Sequence, residues 1–275
     1  MKKPTVSILM TIFNHQNYLN ESIKSLINQN YKNWELIAID NGSTDGSGKI
    51  LKNIKDKRIK KKFLKKNIGR TKCLNLGLKN CKGKFIAILD SDDVAQNNRI
   101  KSQLKEFNSD NELWLVASDF NLIDQSSKII SYPKEKFDLK KNLQDKPRMF
   151  LLKNFLAHSS VMYKSKLIKE IGGYPNNYLY AQDHAFYMKV FKNYKIKILR
   201  KKLVNIRAAH KESETVRVFN SKRIISEQIR ILLWNLSNFQ TSLFEKILIL
   251  FNLLLKIIKF FIPNILMKTK LKIIN

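Results

Sequence analysis

The chain is poor in cysteine. Cys73 and Cys81 are the only two in 275 residues, too few for a disulfide framework or a zinc site, and they suit a reducing compartment. It is also poor in acid, with 22 acidic residues against 52 basic ones for a net charge of +30. Such a balance favours anionic partners: nucleic acid, acidic lipid headgroups or phosphorylated substrates. The excess is mostly lysine spread through every segment. The nine arginines form no cluster, and arginine is the preferred reader of bases and phosphates, so no nucleic acid is expected as a partner. The opening MKKPTVSILMTIF imitates a secretory leader, but its apolar run is short and no small-residue cleavage site follows; it reads as a first β-strand. No G-x-G-x-x-G follows that strand, and Gly48-Lys49 is followed by Ile50 rather than Ser or Thr. A dinucleotide fingerprint and a P-loop are both excluded.

What remains is a regular alternation. Apolar strands are expected at Val6 to Phe13, Trp34 to Asp40, Ile59 to Leu64, Phe85 onward and Leu113 to Ser118. Helices are expected at Tyr18 to Gln29, Lys49 to Ile54, from Gly69 to about Asn80, and at Asn98 to Phe107. This pattern predicts a mainly parallel, doubly wound sheet over residues 1 to about 120. Beyond it, HSSVMY from His158 to Tyr163 reads as a strand, Lys164 to Ile171 as a helix stopped by Gly172-Gly173, Gln182 to Asn193 as an amphipathic helix, and Ile196 to Ile206 as one or two strands.

The C-terminal part changes character, with helices expected at Phe219 to Asn238 and Ser242 to Ile262. The second is strongly apolar, but Glu245, Asn252, Lys256 and Lys259 fall on one face as a polar stripe. A spanning helix needs a long stretch nearly without charge. This pattern suits a helix lying in a membrane interface, helped by anionic lipid, or one packed on the main domain.

The chemistry concentrates in FIAILDSDD, Phe85 to Asp93. Three carboxylates within four positions repel one another unless something positive lies between them. Residues two apart on extended backbone point to one side, so Asp90 and Asp92 can aim at one spot beyond the strand's carboxyl end, where open α/β sheets bind ligands. Two oxygen donors with no His or Cys nearby suit Mg²⁺ or Mn²⁺ held partly by substrate phosphates. For an isolated DSDD the alternative is an acidic turn capping the next helix. Asp40 ends a second strand in an acid and could accept hydrogen bonds from a base or ribose. Asp183 could serve as a base or as the cap of the helix from His184.

In order along residues 4 to 215, the sequence resembles the family-2 glycosyltransferases of the GT-A fold. VSILMTIFN, ELIAIDNGSTDGS, NIGRTKCLNLGLKNCKGKFIAILDSDD, HSSVMYKSKLIKEIGGYP, AQDHAFYMKVF and IRAAHKESET carry the resemblance. It implies an α/β fold, a Rossmann-like, mostly parallel sheet flanked by helices, with a C-terminal helical extension. Residues 1–215 would form the catalytic domain, with 1–120 binding nucleotide and 121–215 binding acceptor; 216–275 would add basic and apolar helices. It implies a nucleotide-sugar donor, UDP-linked, with Mg²⁺ or Mn²⁺ as cofactor. The product would be a surface glycan or lipid-linked oligosaccharide, made on the cytoplasmic side, on or near the membrane's inner face. Thr11, Phe13, Asn14, Asp40, Gly69, Lys72, Asp90 and Ser91 would bind the nucleotide. Asp90, Asp92 and His210 would serve the metal–diphosphate, Asp183 would be the general base, and His158 and Arg207 would contact acceptor or donor. Three positions depart from the usual pattern: Asn41 where a second acid is common, Thr11-Ile12 in place of Pro-Thr, and Gln182 where a Glu often precedes the base. Two rival readings are a nucleotide-sugar-binding module without transfer and a basic membrane or nucleic-acid adaptor.

Overall fold

The computed structural model describes residues 3–130, 150–208 and 221–261. Within them the chain runs β1 (Val6–Ile12), α1 (Leu19–Ile27), β2 (Trp34–Asp40), α2 (Ser47–Asn53), β3 (Ile59–Phe63), α3 (Arg70–Leu78), β4 (Phe85–Ile88), β5 (Val94–Ala95), α4 (Arg99–Ser109), β6 (Leu113–Ile123) and β7 (Ile129–Ile130). After a 3-10 turn at His158–Ser160 come β8 (Met162–Lys164), α5 (Lys166–Ile171), α6 (Gln182–Asn193), β9 (Lys195–Arg207), α7 (Lys222–Asn238) and α8 (Leu243–Phe261). The strands form one sheet ordered β3-β2-β1-β4-β8-β6-β9-β5, with β7 on β6.

β1 and β2 are apolar along nearly their whole length because both of their faces are covered. The even residues of β1 (Val6, Ile8, Met10, Ile12) pack with α1, α2 and α4 through Leu19, Leu51 and Ile100. Leu9, Ile37 and Ile39 face α3 and α6 through Leu74 and Phe186. The result is a three-layer α/β/α body whose longer ladders are parallel.

Two expectations need correction. The parallel block holds for β3-β2-β1-β4, but β6 does not sit beside β4: β8 inserts between them and pairs antiparallel with both. The HSSVMY segment is also not a continuous strand. His158–Ser160 coil into the 3-10 turn, and pairing begins at Met162. The turn packs against α4. Arg99, fully buried, donates to the carbonyls of Ile88 (2.8 Å) and Val161 (3.1 Å). Gln103 donates to those of Val116 (2.9 Å) and Ser160 (2.8 Å). These buried side chains satisfy carbonyls of the turn and of the strands beside it; the Val161 carbonyl accepts from the Ile88 N–H as well. β6 runs from 113 to 123, and the segments on either side of it share one sheet.

Candidate active site

The carboxyl edges of β1 and β2 build a cradle. Their register pairs Ile12 with Asp40, so the two following loops emerge side by side. Asn14 adopts a left-handed backbone (φ 56°), a conformation Asn tolerates better than most residues. Its Oδ1 accepts from the Thr44 N–H at 2.8 Å, and its own N–H donates to Ser43 Oγ at 3.1 Å. The His15 N–H donates to Ser47 Oγ at 2.9 Å and the Gln16 N–H to Asp45 Oδ2 at 3.0 Å. Asp40, nearly buried, accepts the Ser43 N–H at 3.0 Å. Its other oxygen rests against Gly48, where a β-carbon would lie 2.8 Å from it. Asn41, which stands where an acid was expected, ties the cradle to the next loop: its Oδ1 accepts the Ile68 N–H and its amide donates to Asn67 Oδ1, both at 3.0 Å. That loop leads through Gly69 (φ 85°) into α3, where Lys72 is exposed in the first turn. Thr11, Phe13, Asn14, Asp40 and Gly69 therefore share one rim of the sheet, with Thr11 and Phe13 partly exposed on it.

The acidic loop 90–93 lies against this cradle. His15 Nδ1 is 2.7 Å from Ser91 Oγ and 4.0 Å from Asp92 Oδ1. Arg70, at the start of α3, donates to Asp90 Oδ1 at 2.6 Å, and His158 Nδ1 stands 3.3 Å from the same oxygen. Burial works against charge on Asp90, yet Arg70 and His158 hold its carboxyl far below the usual carboxylate range. Asp93 behaves oppositely: burial, with Asp92 and Asp90 beside it, pushes its carboxyl well up. It accepts from Ser159 Oγ and from the Arg207 N–H (2.8 Å), so it holds the loop rather than facing outward.

Asp90 and Asp92 are hard oxygen donors with side chains about a fifth exposed or less. No group of three or more His, Cys, Asp or Glu that could hold a metal occurs among the described residues. A divalent ion that completes its shell with substrate phosphates and water needs no such group, so this oxygen donor set fits a hard divalent ion. His210 lies outside the described residues.

Arg207 is placed differently from the expected ligand contact. Its side chain is fully buried. Nε donates to the Asp92 carbonyl (2.9 Å), and the terminal nitrogens donate to the carbonyls of Asp124 (2.6 Å) and Gln125 (3.2 Å), to Glu21 (2.7 Å) and to Ser127 Oγ (3.1 Å). A guanidinium has five N–H groups, and these five bonds use that number. Arg207 braces the acidic loop from behind.

Asp183 lies in the first turn of α6. Its Oδ2 accepts from Asn154 at 2.9 Å and its Oδ1 from the His184 N–H at 2.7 Å. The helix begins one residue earlier, with no side-chain cap at Ala181, so Asp183 is not the expected cap. Its relation to Asp90 runs through Tyr174, whose hydroxyl is 3.1 Å from His158 Nε2. Burial pushes the Tyr174 phenol above its ordinary range, and Asp183 and Asp90 both add to the rise. Gln182 makes a second link: with its amide nitrogen facing the carbonyls of Leu179 and Tyr180, its oxygen accepts from Arg70 Nε at 3.3 Å. His184 is buried, and burial lowers its pKa.

The segment leading into Asp183 is held from both sides. From α3, Thr71 donates to the Tyr178 carbonyl (2.6 Å), and Asn75 accepts from and donates to the Tyr174 backbone (2.9 and 2.8 Å). From α7, the fully buried Glu227 accepts three consecutive N–H groups, those of Leu179 (2.9 Å), Tyr180 (2.9 Å) and Ala181 (3.0 Å). Arg70, Ser159 and Glu227 were not among the expected site residues. Two of them carry a sequence signal. Arg70 is a cation at the start of a helix, where the dipole disfavours it unless an anion is close. Glu227 lies at positions i, i+4 and i+8 with the buried Ile231 and Asn235, an acid on the inward face of its helix. Burial pushes both cysteine thiols up to about 12.

With that geometry in view, three comparisons bear on the chain. The family model "Glycosyl transferase family 2" matches residues 7–172. An uncharacterised glycosyltransferase of Haemophilus influenzae is 33% identical over 239 residues, 85% of this chain and 87% of the relative. Another, from Methanocaldococcus jannaschii, is 32% identical over 230 residues, 81% of this chain and 77% of the relative. Among solved structures, S. aureus TarS 1-349 in complex with UDP-GlcNAc superposes with a TM-score of 0.71 at 21% identity, over 93% of this chain and 73% of that one. The mannosyltransferase PcManGT of Pyrobaculum calidifontis, in complex with GDP-Man and Mn²⁺, gives 0.67 at 14%, over 96% and 89%. These last two likenesses concern the fold.

Proposed function

The chain belongs to glycosyltransferase family 2, and on that premise we propose that it moves a hexosyl or N-acetylhexosaminyl group from a UDP-sugar to a hydroxyl of a glycan or lipid-linked acceptor, by single displacement with inversion. One observation carries the reading. Arg70, His158 and Tyr174 link to Asp90 at the donor edge, and Gln182, whose oxygen accepts from Arg70 Nε, stands next to Asp183 at the start of α6.

In this mechanism the β1–β2 cradle holds the nucleoside, with Asp40 accepting from the N–H edge of the base. Guanine presents a comparable N–H edge, so the preference for uracil is a matter for measurement. Asp90 and Asp92 would hold a divalent ion, which when bound would supply charge neutralisation at the departing diphosphate. Asp183 accepts the proton of the acceptor hydroxyl. The hydroxyl oxygen forms its bond to the anomeric carbon as the bond to the diphosphate oxygen breaks, through a cation-like sugar. Because attack and departure use opposite faces, the anomeric configuration inverts. Arg70 positions Asp90 against the base helix, and Arg207 braces the loop that carries Asp92.

The test is a panel of nucleotide sugars with Mn²⁺ and varied acceptors, read by nucleotide release and by sugar appearing on acceptor. UDP-sugar consumption with an inverted product supports the reading. Release of nucleotide without any glycosylated acceptor would favour a donor-binding module instead.

A further inference from the structure

The helix α8 is turned inside out for a protein in water. Its polar stripe faces the body: Asn252, Lys256 and Lys259 are partly covered, and Lys256 Nζ donates to Gln228 Oε1 of α7 at 2.6 Å. Ile249 is buried there in a small cluster with Leu151 and Leu232, with Leu253 packed against it. Phe244, Ile247, Leu250, Phe251, Leu254 and Phe261 point the other way, each more than half exposed. A helix on a soluble domain normally buries its apolar stripe and shows its charges. Contiguous apolar surface of this kind marks an interaction site. The helix is also a deliberate element rather than a frayed end. Its start is fixed by a reciprocal cap, in which the Ser242 N–H donates to Glu245 Oε2 (2.8 Å) and the Glu245 N–H donates to Ser242 Oγ (3.3 Å).

We propose that the outward face of α8 docks on the surface of an anionic lipid bilayer, with the helix lying in the interface. Charge selects this occupant. Residues 216–275 hold ten basic residues against two acidic ones, a balance of +8. Beside the apolar face, a cleft of about 510 Å³ between α7 and α8 is lined by Ile257, Phe260 and Phe261 with Arg223 and Arg230. Lys222 Nζ stands 5.6 Å above the Phe260 ring. Apolar side chains flanked by cations match an acyl region bordered by anionic headgroups. A second copy is a poorer partner, since its matching face would bring the same cations together in a chain of net charge +30. Among the described residues no helix is long and apolar enough to cross a membrane, which leaves the surface position. The proposal does not rest on the transfer reading. It would place the base segment one helix from lipid, because α7 both carries α8 and holds residues 177–181 through Arg230 and Glu227.

The experiment uses the full chain with phosphatidylglycerol-containing vesicles and pure phosphatidylcholine vesicles. The expected result is co-flotation with the anionic vesicles, weakened by salt and by their neutral replacement, with amide exchange across 243–261 slowing when vesicles are added. Phe251→Ser/Leu254→Ser, both at exposed positions, should lower the partition coefficient by about tenfold or more with an unchanged circular dichroism spectrum. Equal partition of the double variant would reduce the interaction to charge alone and overturn the proposal. So would wild-type protein that ignores vesicles and sediments as a dimer dispersed by the same substitutions. Amides of 243–261 that exchange slowly without vesicles and do not respond to them would also overturn it, by showing the face already covered by the chain's own tail.

Discussion

The donor cradle and the base segment are built in opposite ways. The cradle is made by neighbours: the loops after β1 and β2 lie side by side because their strands do, and they bind each other through Asn14, His15, Gln16, Ser43, Asp45 and Ser47. The base segment has no such symmetry. It is suspended between α3 on one side and α7 on the other, and Glu227, whose three contacts hold its backbone, follows Ala181 by 46 residues. On the proposed reading the difference teaches that donor binding would follow from the parallel half-sheet, while placement of the base would depend on α3 and α7 packed beside it. Substitutions on α7 should therefore change catalysis without changing nucleotide affinity, and substitutions in the cradle should do the reverse.

The largest break in that comparison is expected at Asp92, on the donor side. Asp92→Ala should lower turnover by about a hundredfold or more, the scale of one lost electrostatic contact in a transition state. The Mn²⁺-dependent part of UDP affinity should be lost with it, read by calorimetry with and without the ion. Glu227→Gln comes next. It leaves the shape of α7 intact but puts an amide nitrogen among three backbone donors, which should lower kcat by about tenfold and stability by roughly 1–3 kcal/mol, while UDP affinity stays unchanged. A rise in donor KM at constant kcat would show the two regions to be coupled rather than separate. Asp45→Ala probes the cradle in the other sense. Without the acceptor for the Gln16 and Ser47 N–H groups, donor KM should rise about threefold to tenfold, for a loss of about 1 kcal/mol, with kcat held.

The smallest effect is expected from pH. Burial depresses the His184 pKa, although Asp183 works against the shift. A depressed pKa means that the unfolded chain binds a proton the folded chain declines, so stability rises with pH through that window. The contribution is complete above the ordinary imidazole value of about 6.5 and is lost as pH falls below it. His184→Gln should flatten the melting temperature between roughly pH 6.5 and 5, and an unchanged slope would remove His184 from the account.

Much of the donor half was legible in the sequence for a physical reason: a strand covered on both faces is written as a continuous apolar run, so Val6–Ile12 and Trp34–Asp40 announce themselves. The acids that end β2 and follow β4 then locate the edge where ligands bind. The middle was less legible because nothing local marks it. HSSVMY has the composition of a strand, yet its first half is a turn packed on α4, where Gln103, far upstream, bonds the Ser160 carbonyl and Arg99 that of Val161. Arg207 resembles a phosphate reader in sequence, but its five donors are spent on the Asp92 carbonyl, on residues 124, 125 and 127 and on Glu21. On α8 the polar stripe was visible, but which side faced the protein was not. That depends on Ile249 and Lys256 meeting α7.

The central claim is that Asp183 takes the acceptor proton at a site where the donor is bound by other residues. It is tested most directly by Asp183→Asn, with UDP binding by calorimetry in Mn²⁺ beside transfer to acceptor. The account predicts affinity within about twofold of the native chain and a fall in transfer of about 10²–10⁴-fold, the span ascribed to a general base. Transfer at the native rate by Asp183→Asn would contradict it.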